Sequence, residues 1–260
     1  MKYFGGCDVG STYTKAVILD ENGKMVADTT IRSKINSEQS AIAAMDENDP
    51  LTLITEAVYA RLLSALYPER IKAASLYSGK LKVESGKLSD NAQLSIEDVR
   101  QALYAAKLIS YAQGFSLLRH ASEHYGWDLD YGTIARIWRK GCIIRSVFLQ
   151  KITEAYRKDP DLENLLFDDF FHTKIQEALP AWRRVVAEGA LSGVALPAMS
   201  SALNYFDGLR TLYSAANMIQ AQRDYFGAHT YERTDRERGH FFHTNWTGEG
   251  GNTVSGTYSV

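Results

Sequence analysis

SIEDVRQALYAAKLISYAQGFSLLRHASEHY, Ser95–Tyr125, is the stretch on which the fold turns. Ser95 with Asp98 three residues on resembles a capping box, with Asp98 in the place usually held by Glu or Gln. The helix it opens is expected to run to about Tyr125. Along it, the line Val99, Leu103, Ala106, Ser110, Gln113, Leu117 and Ala121 is mostly small or apolar, with polar interruptions. Upstream, Leu51–Leu66 is also helical, with Leu53, Ile54, Ala57, Val58, Ala60 and Leu62 crowding one side. Pro68 begins another helical stretch, and the polar run 79–91 reads as a loop. Downstream, helices are expected at about 131–156, 160–178, 180–190 and 197–225. The tail from Gly239 is rich in Gly, Thr and Ser and reads as extended. The body of the chain is therefore expected to be mainly α.

The first 47 residues read differently. Tyr3–Val9 predicts a strand, and Ala16, Val17, Ile18 and Leu19 form an apolar, largely β-branched run. Asn22-Gly23 is the strongest short hairpin signal, and Met25–Ile31 reads as the return strand. Ser37 begins a helix, with Ala41, Ile42, Ala44 and Met45 at helical spacing. The result is a β-β-β-α start that gives way to helix at the breaker Asn48-Asp49-Pro50. Two segments are expected, 1–47 and 48–260, with 239–260 as the tail of the second. A piece of under 50 residues rarely folds alone, so the first must pack on the rest, find a partner or stay partly unfolded.

Composition narrows the function classes. The chain has 260 residues, 45% hydrophobic and 23% charged, which is ordinary for a soluble globular protein. A net charge of -2 gives no bulk attraction to nucleic acid or to an anionic membrane, so an anion site must be a local cluster of basic residues. Two cysteines, Cys7 and Cys142, have no CxxC spacing, which suggests neither a disulfide framework nor a metal knuckle and fits a reducing cytoplasm. No apolar run reaches the roughly 18 residues of a membrane span. No metal site is expected: His120, His124, His172, His240 and His243 show no ligand pattern, and His240 and His243 lack a third partner.

Three places carry candidate chemistry. At Asp8-Val9-Gly10-Ser11-Thr12 a strand ends on an acidic residue before a small-residue turn. Such a turn can cradle a phosphate on backbone N–H groups, aided by Ser11, Thr12 and Lys15, with Asp8 reaching Mg²⁺ through water; it is equally an ordinary hairpin turn. Arg61, on an otherwise apolar helix, either pairs with a carboxylate or phosphate or snorkels to the surface. Arg223 and His229 flank Tyr225-Phe226-Gly227, where Gly227 suggests a turn after a helix. An Arg and a His at one turn make either a phosphate clamp or a solvated helix end. Cys142 reads as a small buried residue in close helix packing rather than a nucleophile.

Two resemblances attach to these residues. Residues 1–46, through CDVGSTYTK, Cys7–Lys15, resemble the start of the BadF/BadG/BcrA/BcrD ATPase family, whose fold is of acetate kinase/actin type. That resemblance implies Mg-ATP as ligand and an apparent chimera, although the family's second phosphate loop, adenosine pocket and paired iron–sulfur cysteines are missing. Residues 51–260 resemble the all-α C-terminal domain of decarboxylating 6-phosphogluconate dehydrogenases. The matching stretches are LTLITEAVYAR, ALYAAKLISYAQGFSLLR, KGCIIRS, LLFDDFF, IQAQRDYFGAHTYER and FHTNWTG.

The second resemblance implies that Arg61, Arg223 and His229 contact 6-phosphogluconate. It places Arg61 in its own subunit's site, and Arg223 and His229 in the neighbour's. It also implies a homodimer embraced by the tail from Gly239, and NADP as cofactor. The family's GxGxxG fingerprint, its Lys general base and Glu acid helix, and its KGTGKW segment are not found in this sequence. No catalytic residue is therefore assigned, and the chain alone is expected not to turn over 6-phosphogluconate. Helices missing from the family pattern are expected to leave an apolar face that drives association. The competing readings are an ATP-binding activator fragment and a non-catalytic dimerisation module.

Overall fold

The computed structural model describes residues 3–9, 13–20, 25–32, 46–77, 94–139 and 146–246, the first three segments as backbone only. β1 (Tyr3–Val9), β2 (Tyr13–Asp20) and β3 (Met25–Arg32) form an antiparallel sheet in that order. Tyr3 pairs with Asp20 and Val9 with Thr14; Tyr13 pairs with Arg32, and the second register shifts between Ile18 and Leu19. The expected strands are present, β2 starting earlier than its apolar run. The Asn22-Gly23 turn and the Ser37 helix lie outside the described residues.

The rest is helical: α1 (Thr52–Ala65), α2 (Tyr67–Tyr77), α3 (Ile96–Tyr125), α4 (Tyr131–Ile137), α5 (Leu149–Lys158), a 3₁₀ turn at Leu165–Phe167, α6 (Asp169–Leu191), α7 (Pro197–Leu209) and α8 (Ala216–Gly227). Two short strands come after α8, β4 (Tyr231–Glu232) and β5 (Phe241–Phe242), pairing Tyr231 with Phe242. The chain groups into two units, 1–205 and 206–260.

α3 has the boundaries its sequence predicts because both ends carry local signals. Ser95 Oγ accepts the Asp98 N–H at 3.1 Å while Asp98 Oδ2 accepts the Ser95 N–H at 2.9 Å. Gly126 ends the helix at φ 65°, a left-handed conformation glycine adopts freely. The buried stripe takes Ala106 and Gln113 from the apolar line but not its first members. Val99 is 44% and Leu103 60% exposed, whereas Ala102, Ala105, Ile109 and Ala112 are fully buried. These small residues allow α6 to pack closely on α3, with Phe115, Phe171, Ile175 and Trp182 filling the core. Trp182 donates Nε1–H to the Met199 carbonyl at 3.2 Å, and Arg184 ion-pairs with Asp98.

Four expected helices are redrawn by packing. The expected helices at 160–178 and 180–190 become one, α6, which starts only at Asp169 and has Pro180 inside it. A proline there costs about 3 kcal/mol. The buried face continues across it through Ile175, Ala178, Ala181, Trp182 and Val185, and each large side chain returns about 1.5–3 kcal/mol, so the helix survives. The expected helix 131–156 is two, α4 and α5; residues 140–145, which include Cys142, lie outside the described residues. The expected helix 197–225 breaks between α7 and α8. There Thr211 Oγ1 donates to the Asp207 carbonyl at 2.5 Å and Ser214 Oγ accepts the Ala216 N–H at 3.3 Å, both hydroxyls competing with the helical ladder.

α1 lacks a side-chain cap of its own at Leu51. Gln113, fully buried on α3, supplies one: its Oε1 accepts the Leu53 N–H at 3.2 Å and its Nε2 donates to Thr52 Oγ1 at 3.0 Å. Just before α1, His120 meets Asp49 at 2.7 Å and His124 meets Glu47 at 2.9 Å. These pairs hold the entry to α1 against the C-terminal half of α3.

Candidate functional site

α8 carries two of the three candidate substrate contacts. Its sequence, ANMIQAQRDYFG, is built largely of good helix formers, and it stops where Ala228 turns left-handed at φ 50° with its N–H on the Asp224 carbonyl. Gln220, Arg223, Asp224 and Gly227 are three or four residues apart and share a side of the helix.

Arg223 and His229 are both exposed, and among the described residues neither side chain has a hydrogen-bond or ion-pair partner. A Cβ built on Gly227 would lie 3.0 Å from His229 Nε2 and 3.1 Å from its Cδ2, so the ring rests close over the glycine and would have to shift by a few tenths of an ångström to admit one. Both groups sit at the C-terminal end of α8, where unpaired carbonyls favour positive charge. The sequence expectation of an Arg and a His at one turn after a helix is met in geometry.

The segment after the helix is tied back to it by two residues that the sequence reading passed over. Gln220 Nε2 donates to the His229 carbonyl at 3.0 Å and to the Thr230 carbonyl at 2.8 Å. Asp224, fully buried, accepts His243 Nδ1–H at 2.9 Å, the Thr244 N–H at 3.0 Å and Trp246 Nε1–H at 2.9 Å. Burial pushes its carboxyl up, but the donors of Thr244, His243 and Trp246 together hold it below the usual value. The spacing of Gln220, Asp224 and Gly227 was the available signal; their partners, 9 to 22 residues away, were not.

Arg61 belongs to the other unit. It lies exposed on α1, without a side-chain partner among the described residues. Val58 is the one buried residue of that helix, so Arg61 is carried on a largely exposed element. Of the phosphate-loop residues, Asp8 and Lys15 face each other in the β1–β2 register, while Gly10, Ser11 and Thr12 lie outside the described residues.

A cleft of about 640 Å³ opens beside α8, lined by Gln220, Tyr231, Arg233, Arg238, Phe241 and Trp246 among others. Neither Arg223 nor His229 lines it. Its two arginines are already neutralised, Arg233 by Asp235 at 2.6 Å and Arg238 by Glu232 at 3.0 Å, so it offers little to an anion.

The described strands are antiparallel in both sheets. A dinucleotide cradle needs parallel strands joined by helical crossovers, so these strands do not form one. Among the described residues no cluster of His, Cys, Asp and Glu fits a metal ion, and no helix is long and apolar enough to cross a membrane.

Comparison with known proteins gives a consistent picture. Residues 17–246 match the family model described as "6-phosphogluconate dehydrogenase, C-terminal domain". The chain is 48% identical over 244 residues to a "6-phosphogluconate dehydrogenase, decarboxylating" from Aggregatibacter actinomycetemcomitans, covering 93% of this chain and 50% of that one. It is 51% identical over 221 residues to the protein of that name from Rattus norvegicus, covering 85% and 45%. Among solved structures it is similar to Plasmodium falciparum 6-phosphogluconate dehydrogenase, studied apo, with its cofactor NADP+ and with its substrate 6-phosphogluconate. That likeness has a TM-score of 0.71 at 38% identity and covers 82% of this chain and 45% of that one. The chain thus spans about half the length of these relatives. The family match begins at residue 17 and crosses the compositional change near residue 48 without a break. It lends no support to an ATPase-like leader, to Mg-ATP binding or to a chimera.

Proposed function

The chain belongs to the 6-phosphogluconate dehydrogenase family, through its C-terminal domain, and on that premise we propose that it is the substrate-binding and dimerisation part of an NADP-dependent, decarboxylating enzyme of the pentose phosphate route. The observation that carries this is the identity of about half over most of the chain, together with an unpaired Arg223 and His229 at one helix end. A guanidinium and an imidazole there offer charge-assisted donors to a phosphate ester and its neighbouring hydroxyl groups. Arg61 supplies a second guanidinium, on a different unit. By family resemblance Arg61 serves its own subunit's site, and Arg223 and His229 serve the neighbour's, so two copies complete two sites.

On that reading, NADP would be held by the cofactor domain of a full-length relative and would supply the hydride acceptor there. The residues of this chain contribute binding and orientation. The stretch alone does not oxidise 6-phosphogluconate, because neither a dinucleotide cradle nor the family's Lys and Glu pair is found in it. Calorimetric titration of the purified chain with 6-phosphogluconate tests the binding part. Heat is expected, and is expected to vanish in Arg223→Ala while the melting temperature holds. No heat from a folded wild-type sample overturns substrate binding. Sustained NADPH formation by the purified chain, above a no-enzyme control, overturns the claim of inactivity.

A further inference from the structure

We infer that Gln220 is a positioning residue for His229, a role that rests on reading His229 as a substrate contact. His229 sits between the end of α8 at Gly227 and the start of β4 at Tyr231, on no regular element of its own. Its carbonyl and that of Thr230 both accept from Gln220 Nε2, at 3.0 and 2.8 Å. One amide NH₂ has two protons, so one side chain pins two consecutive peptide units. The ring lies over Gly227, where an added Cβ would come within 3.0 Å of its Nε2. Because Gln220 and Arg223 are three residues apart on one helix, the peptide that bears His229 and the guanidinium of Arg223 are held by the same rigid element. An unpinned loop would have to be ordered by the ligand, and that cost would appear as lost affinity.

The test uses the full chain. Gln220→Ala keeps a strong helix former and removes the donor. Nuclear magnetic resonance follows the imidazole signals of His229, with His243, held by Asp224, as the internal reference. In Gln220→Ala, the His229 signals are expected to move towards those of an unstructured histidine while those of His243 stay in place. Affinity for 6-phosphogluconate is expected to fall about tenfold. Gly227→Ala, which fills the seat of the ring and also favours helix, is expected to shift His229 with His243 again unmoved. Unchanged His229 signals in either variant, or joint displacement of both histidines, overturns the proposal. If 6-phosphogluconate leaves the His229 signals of the wild-type chain untouched, the substrate reading fails, while the positioning result stands or falls on the variants alone.

Discussion

Asp224 is a carboxylate with no exposed surface in a segment otherwise largely open to solvent. Its three donors come from one short stretch, His243 to Trp246, so a single side chain closes the loop that carries β4 and β5. Asp224→Ala strands those donors, each costing about 1–3 kcal/mol if it stays buried, and a loss of about 3 kcal/mol is expected by urea unfolding. The group also sets an acid dependence. Its folded carboxyl lies below the ordinary value and its unfolded one does not, so its contribution is complete above the ordinary carboxylate range. That contribution is lost as pH falls through the lowered value. The wild-type melting temperature should therefore decline more steeply than that of Asp224→Asn below about pH 4. Equal slopes would remove Asp224 from the account. Arg223 and His229 were legible in the sequence as a pair at a helix end. Asp224 was not, since a buried acid and an exposed one look alike until their partners are in place.

At the scale of elements, α1 depends on a neighbour. Only Val58 is buried and Leu53, Ile54 and Ala60 are half-buried, while Tyr59 is 52% and Leu63 61% exposed, so limited burial holds it. Its N-terminal N–H groups are capped from α3 by Gln113 rather than by the residue preceding the helix. Gln113→Ala should cost about 2 kcal/mol and speed hydrogen exchange at the Leu53 amide by more than at amides in the middle of α3. Uniform protection in the variant would show that the cap does not matter. α3 was readable end to end because its capping box and Gly126 are local signals. α6 was misread at Pro180 because breaking a helix there is a local preference, and the buried face running past it is a tertiary fact.

At the scale of the whole molecule, α1 and α2 expose a run of large apolar side chains: Leu62, Leu63, Leu66, Tyr67, Ile71 and Leu76. No residue of α2 is buried. So many large apolar side chains left open on two successive helices favour association. The purified chain is expected to form dimers or larger species in light scattering, and Leu63→Glu with Ile71→Glu is expected to reduce them without loss of helical circular dichroism. A monodisperse wild-type monomer would contradict this.

Sequence alone determined that the body is helical, where α3 begins and ends, that three strands open the chain, and that Arg223 and His229 flank the end of one helix. Each of these is written in residues close to one another: a cap, a period, a hairpin signal, a glycine after a helix. Tertiary structure alone decided which stripe of α3 faces inward, that α6 runs through Pro180, that α1 borrows its cap from Gln113, and that Gln220 and Asp224 tie down the segment after α8. Those outcomes depend on burial and on partners far along the chain, and a buried hydrogen bond or a closed core outweighs a local preference of a few kcal/mol.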